Sequence, residues 1–135
     1  MDIMQMPIES VWDDPQRNIL RTSYYGIWTW SELHEHDDGV VIPMIGASQQ
    51  PVSLIIDMTE AFWFMPGSIL NNIKRWIARH AEFDIDYVVF VSESDGIRAL
   101  LETAHRRFGT PGRTYIAVTS LDESREFIED KRSVF

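Results

Sequence analysis

A chain of 135 residues, 44% hydrophobic and 24% charged, can bury one core but not two, so residues 1–135 are expected to form a single domain and two-domain enzymes are excluded. Twelve Lys and Arg stand against 21 Asp and Glu, a formal net charge of -9, which repels a phosphate backbone and argues against nucleic acid as a partner. With no cysteine, disulfides, thiolate metal sites and thiol nucleophiles are all excluded.

The charge is uneven: residues 1–67 carry two Arg and ten acids, net -8, and residues 68–135 carry ten basic and eleven acidic groups, net -1. The first half therefore favours a basic partner. The stretch from Met1 to Pro7 lacks the basic and apolar regions of a signal peptide. No apolar run approaches the ~20 residues of a spanning helix, so a soluble, cytoplasmic protein with no membrane span is expected.

Taken in chain order, Ile8–Trp12 and Ile19–Tyr25 are short β-favouring runs separated by the turn cluster Asp13-Asp14-Pro15, which predicts an opening antiparallel hairpin. Thr29-Trp30-Ser31-Glu32 is a capping box and starts a helix. The apolar spacing of that helix, through Trp30, Leu33, Val40, Val41 and Met44, is interrupted by Gly39 and Pro43, which predicts a kink or a break. Val52–Met58, Tyr87–Val91 and Thr114–Val118 are nearly continuous in apolar β-formers, as expected of parallel strands buried on both faces. Between them lie amphipathic runs, one through Ile69, Leu70, Ile73, Trp76 and Ile77 and one through Ile97, Leu100, Leu101, Ala104 and Phe108; each predicts a crossover helix. A second capping box, Ser120-Leu121-Asp122-Glu123, opens a last helix with Leu121, Phe127 and Ile128 on one side and an Arg125–Glu129 pair on the other. The order β-β-α-β-α-β-α-β-α, wound with right-handed crossovers, predicts an α/β superhelix: a mostly parallel five-stranded sheet with helices packed on it.

In an open parallel sheet, ligands and partners meet the carboxyl ends of the strands. That edge collects Asp57, Thr59, Ser68, Ser92, Ser94, Asp95, Thr119 and Ser120, which either hold a partner or an anion near helix N-termini or serve as helix caps. Between a strand and a helix stand Phe62, Trp63, Phe64 and Met65, apolar where loops are polar; they either fold under the sheet or form an interface or apolar-ligand surface. Of His34, Glu35, His36, Asp37 and Asp38, the two histidines point about 200° apart on a helix and only His34 with Asp37 or Asp38 has metal-ligand spacing, so the group is read as a solvated acidic face, and no metal is expected. His80 and His105 are read as residues at the border of apolar helix faces rather than general bases. There is no nucleophile elbow around Gly67-Ser68-Ile69, no phosphate-binding lysine loop and no dinucleotide glycine fingerprint, so nothing argues for an enzyme.

The chain resembles the STAS group, the anti-sigma-factor antagonist or SpoIIAA-like domains. The likeness rests on Trp12-Asp13-Asp14 ahead of the second strand, Gly26 to Glu32 at the entry to the first helix, the strand end Ile55-Ile56-Asp57-Met58-Thr59, and the closing stretch Thr119 to Ser124. It spans nearly the whole chain. In phosphorylatable members the loop after the third strand leads into Asp-Ser-Ser-Gly or Asp-Ser-Thr-Gly. Here Met65-Pro66-Gly67-Ser68-Ile69 keeps only Ser68, so the chain looks like a divergent member without the phosphorylation motif, and Ser68 is expected to be structural. The resemblance implies a non-enzymatic regulatory module that docks a protein partner, or a second copy of itself, through the carboxyl edge, with no cofactor. The alternative is a small apolar-ligand or lipid-binding module similar to SEC14-like domains, with Phe62, Trp63, Phe64 and Met65 lining its pocket.

Overall fold

The computed structural model describes residues 7–61 and 69–133. Strands β1 (Ile8–Trp12) and β2 (Ile19–Gly26) form the hairpin, and helix α1 (Trp30–His36) runs on through a wider π-helical turn at Asp37–Val41 into α2 (Ile42–Ala47). There follow β3 (Val52–Ala61), α3 (Ile69–His80), β4 (Ile85–Val91), α4 (Asp95–Phe108), β5 (Thr114–Val118) and α5 (Leu121–Arg132). The five strands lie side by side in sequence order; β1 is antiparallel to β2, and β2 through β5 are parallel.

The helix predicted to kink or break at Gly39 and Pro43 is not broken there but widens, α1, the π-helical turn and α2 following one another without a gap. Proline lacks an N–H and its ring crowds the carbonyl four residues earlier, which is that of Gly39. The backbone meets this by opening one turn, so that the N–H of Ile42 donates to the carbonyl of Asp37, five residues back. Pro43 then sits in the first turn of α2, where a missing donor costs nothing.

Strand register sorts the side chains into two faces. Trp12, Leu20, Leu54, Val88 and Tyr115 stand in one row across the sheet, and the adjacent row is Val11, Arg21, Ile55, Val89 and Ile116. The first row belongs to the larger core, where Leu20, Leu54, Ile56, Met58, Val88 and Phe90 pack against Leu33, Val41, Ile45, Ile73, Trp76, Ile77, Leu101 and Ala104 of α1 to α4. Right-handed crossovers between consecutive neighbouring strands put all those helices on one side. Among the described elements only α5, which follows the last strand, crosses to the other side, where Ile128 packs with Ile55, Val89, Val91 and Val118. The expectation that Thr114–Val118 is buried on both faces fails, because β5 is an edge strand in which only Val118 is buried.

The polar face of α5 also differs from expectation. Arg125 does not pair with Glu129; its Nε and Nη2 grip the carboxylate of Asp13 at 2.8 and 2.9 Å, and Arg21 Nε donates to the same group at 3.0 Å. A buried carboxylate offers a guanidinium two aligned acceptors, which a flexible Glu on the solvent side of the helix does not match. At the far end of α5, Arg132 donates to the carbonyl of Asn18 at 3.0 Å and to Ser53 Oγ at 2.8 Å.

Candidate functional site

The carboxyl ends of the strands carry Asp57, Thr59, Ser92, Ser94, Asp95, Thr119 and Ser120, all singled out in the sequence. At the end of β2, Gly26 has φ +57°, a conformation that glycine adopts at little cost. The turn it makes sends Ile27 out to solvent, 79% exposed, and Trp28 inward, fully buried. Thr29 then caps α1 with both arms of the capping box in place: Glu32 N–H donates to Thr29 Oγ1 at 3.1 Å and Thr29 N–H to Glu32 Oε1 at 2.9 Å.

At the end of β3 the pairing with β2 slips by one residue between Asp57 and Glu60, a bulge. Asp57 Oδ1 accepts from Thr59 N–H at 3.1 Å and from its hydroxyl at 2.8 Å, which holds the extra residue. After β4, Ser92 Oγ accepts from Ser94 N–H at 3.2 Å, and Ser94 caps α4 by accepting from Ile97 N–H at 3.2 Å. Arg98 reaches back to the Ser92 carbonyl at 2.6 Å and pairs with Asp95. After β5, Ser120 caps α5 through Glu123 N–H at 3.2 Å, while the Glu123 carboxylate accepts from the Thr119 hydroxyl instead of closing the second capping box.

The edge is thus one place, with each hydroxyl engaged locally: Ser94 and Ser120 are helix caps, and Asp57, Thr59, Ser92 and Thr119 bond to neighbours within a few residues. Exposed acids surround them, among them Glu60, Glu93, Asp95, Asp122 and Glu123. Ser68 and the Phe62, Trp63, Phe64 and Met65 stretch lie outside the described residues.

Sequence reasoning missed two features here. The large hydrophobic side chains that stay exposed among the described residues are Ile27 and, at 41%, Leu70, and both stand at this edge. Leu70 was legible only as one more apolar position of an amphipathic run, and Ile27 had no periodic neighbour to mark it. The second feature lies beneath the edge on the helix side. There Tyr24, Trp28, Trp30, Trp76, Phe90 and His105 line a cavity of about 30 Å³. Tyr24 and Trp28 meet edge to face at 5.0 Å, and Trp28 and Trp30 at 4.9 Å.

The histidines overturn their expected roles. His34 and Asp37 are not part of a solvated face: His34 Nε2 bonds Asn72 Oδ1 at 2.8 Å, and Asp37, 2% exposed, accepts from His80 Nε2–H at 2.7 Å. α3 covers this helix at His34 and Asp37 and β1 meets it at His36, while Glu35 and Asp38 remain exposed as the reading expected. His36 accordingly shares a 2.8 Å hydrogen bond with Ser10, and burial lowers its pKa, opposed in part by Asp37. His80 and His105 are core residues rather than border residues, at 1% and 5% exposure. His105 binds the Leu101 carbonyl through Nδ1, and burial depresses its pKa to about 4 against that bond. Among the described residues no group of three or more His, Asp or Glu is placed to hold a metal ion, and no helix is long and apolar enough to cross a membrane.

No family model matches the chain, and no curated protein matches it. A solved structure does: the crystal structure of an uncharacterized DUF3478-family protein with a SpoIIAA-like fold, from Shewanella loihica PV-4, superposes with a TM-score of 0.66 at 13% identity, covering 94% of this chain and 98% of that one. The fold of this chain is therefore SpoIIAA-like, as the resemblance in sequence implied.

Proposed function

We propose that this protein is a non-enzymatic, STAS-like interaction module that docks a protein partner, or a second copy of itself, through the carboxyl edge of its sheet. The observation that carries this reading is the placement of Ile27 and Leu70, 79% and 41% exposed, on that edge and among acids. Apolar anchors inside a charged rim are how interfaces combine burial with orientation. The acids Glu60, Glu93, Asp95, Asp122 and Glu123 call for a partner surface with basic groups around an apolar centre. Asp57, Thr59, Ser92, Ser94 and Thr119 then act by shaping the edge, since their hydrogen bonds fix the bulge and the helix starts.

The test is native mass spectrometry of the protein isolated from its own cells, beside a double variant, Ile27→Glu with Leu70→Glu. The wild type is expected to retain a partner protein or a second copy, and the variant to lose it. Both side chains are exposed, so the double variant's stability should stay within about 1 kcal/mol, about 0.5 for each site. A wild type that is monomeric and unaccompanied would remove the reading.

A further inference from the structure

We propose that β5 is a dimerisation strand: it pairs antiparallel with β5 of a second copy of this chain, about a twofold axis at Ile116. The interface lies along the side of the sheet, so it goes beyond docking at the carboxyl edge and does not depend on it.

The outer strands of the sheet are β1 and β5, and they are guarded differently. An outer strand offers a row of unpaired N–H and C=O groups, which proteins blunt with charges, prolines or bulges. β1 follows Pro7 and carries the exposed Glu9. β5, Thr114-Tyr115-Ile116-Ala117-Val118, has neither a charge nor a proline, and its unbroken register with β4 leaves no bulge to turn it aside. Thr114 is exposed and Tyr115, Ile116 and Ala117 are half-buried, so the strand is within reach of a neighbour.

Backbone direction sets what that neighbour must supply. Ser92 N–H donates to the Val118 carbonyl at 3.1 Å, so Val118 faces β4, and by alternation Ile116 and Thr114 face it too. The N–H and C=O of Tyr115 and Ala117 therefore point away from the sheet, where no strand among the described residues meets them. Set antiparallel about Ile116, two copies of β5 place Tyr115 of each opposite Ala117 of the other, and each such pair exchanges both of its backbone hydrogen bonds. This register uses the whole strand and sets a large ring against a small side chain. It also brings Ile116 against Ile116 on the α5 face, where α5 leaves that side chain partly uncovered.

A second copy suits this edge better than an unrelated strand, because the charges beside β5 complement themselves. Glu102 and Arg106, one turn apart on α4, line a groove of about 310 Å³ with Tyr115. A twofold axis at Ile116 runs α4 antiparallel to its copy and sets Glu102 of each beside Arg106 of the other, an isologous arrangement. The chain's net charge of -9 does not oppose the contact, since residues 68–135 carry only -1 of it.

The chain has no cysteine, so Ile116→Cys introduces its single thiol. A non-hydrogen-bonded antiparallel pair has its Cα atoms about 4.5 Å apart, which a disulfide spans. Mild oxidation is therefore expected to convert Ile116→Cys into a covalent dimer and to leave Thr114→Cys without one, because the two Thr114 positions lie about 13 Å apart along the strands. The wild type is expected to sediment as a dimer and to show slow hydrogen exchange at the Tyr115 and Ala117 amides. An outer strand accepts proline where its nitrogen faces away from the sheet, so Ala117→Pro is expected to fold and to sediment as a monomer. The cross-link should form equally in the Ile27→Glu, Leu70→Glu background, which separates this interface from the carboxyl edge. A monomeric wild type, fast exchange at both amides, a dimeric Ala117→Pro, no cross-link at Ile116→Cys in either background, or Thr114→Cys cross-linking as readily would each overturn the proposal. The two wild-type measurements decide the matter even if a variant does not fold.

Discussion

The two faces of the sheet are held by different means. On one side four helices bury Trp28, Trp76, Phe90 and the row Leu20, Leu54 and Val88, together with the buried histidines. On the other a single helix sets its buried Ile128 against four buried aliphatic residues of the sheet, Ile55, Val89, Val91 and Val118, and is fastened by arginines at two points, Arg125 on Asp13 and Arg132 on Ser53 and the Asn18 carbonyl. One helix cannot bury as much apolar surface as four, and directional charge-assisted bonds set its position where packing area is short. Stability should therefore be concentrated on the helix-rich face, and that is also where the aromatic cavity lies.

The largest expected effect tests that concentration directly. Trp28 is fully buried among Tyr24 and Trp30, so Trp28→Ala should cost about 3–5 kcal/mol in a denaturant melt. A loss under about 1 kcal/mol would mean that the aromatic cluster contributes little and that the two faces are more alike than their packing implies.

Acid should separate the faces by pH window. His105 has its folded pKa near 4 and an unfolded value of 6.5. Between those values the unfolded chain takes a proton that the native chain does not, so stability is present in full above pH ~6.5 and falls as pH drops toward 4, by about 3 kcal/mol in all. The lowered pKa of His36 adds to the loss in the same direction. Asp13, on the α5 face, works in a lower window: burial raises its pKa, but the hydrogen bonds and charges of Arg125 and Arg21 outweigh that and hold it below 3.8. Its contribution persists until pH falls beneath the ordinary carboxylate range. Replacing His105 by Phe should shrink the upper-window loss to the part that His36 supplies and leave the lower window, as read from melts at a series of pH values.

A smaller effect concerns the start of the first helix. Thr29 makes both capping-box bonds at an exposed position, so Thr29→Ala should cost about 1 kcal/mol, and Thr29→Ser much less. Equal losses in the two variants would show that something other than the hydroxyl holds this turn.

What was legible in the sequence is what is decided locally. Thr29 and Glu32 are three residues apart and form their capping box wherever a helix starts, and the apolar runs at Val52 and Tyr87 cannot lie anywhere but inside a sheet. Burial of polar residues was not legible, because it depends on partners far along the chain. Asp37 is buried against His80, 43 residues away, and Arg125 finds Asp13 at a separation of 112. His105 reads as a border residue on α4 until β5 brings Tyr115 against it. For the candidate site, the topology indicated the edge and the caps at Ser94 and Ser120, but the exposed anchors Ile27 and Leu70 emerge only when the turn at Gly26 and the seat of α3 are known.

The smallest effect should come from the α5 face. Arg125 is nearly half exposed at its side chain, and Asp13 keeps Arg21 as a second partner when Arg125 is removed. Arg125→Ala is therefore expected to cost under about 1 kcal/mol, and less at high salt, because an exposed guanidinium gains little from a carboxylate that is already paired. Arg125→Ala combined with Arg21→Ala should cost more than the sum of the single losses, since only the double variant leaves the Asp13 carboxylate buried without a cation. Additive losses in the double variant would show that each arginine bonds Asp13 independently and that α5 is held by Ile128 and its neighbours alone.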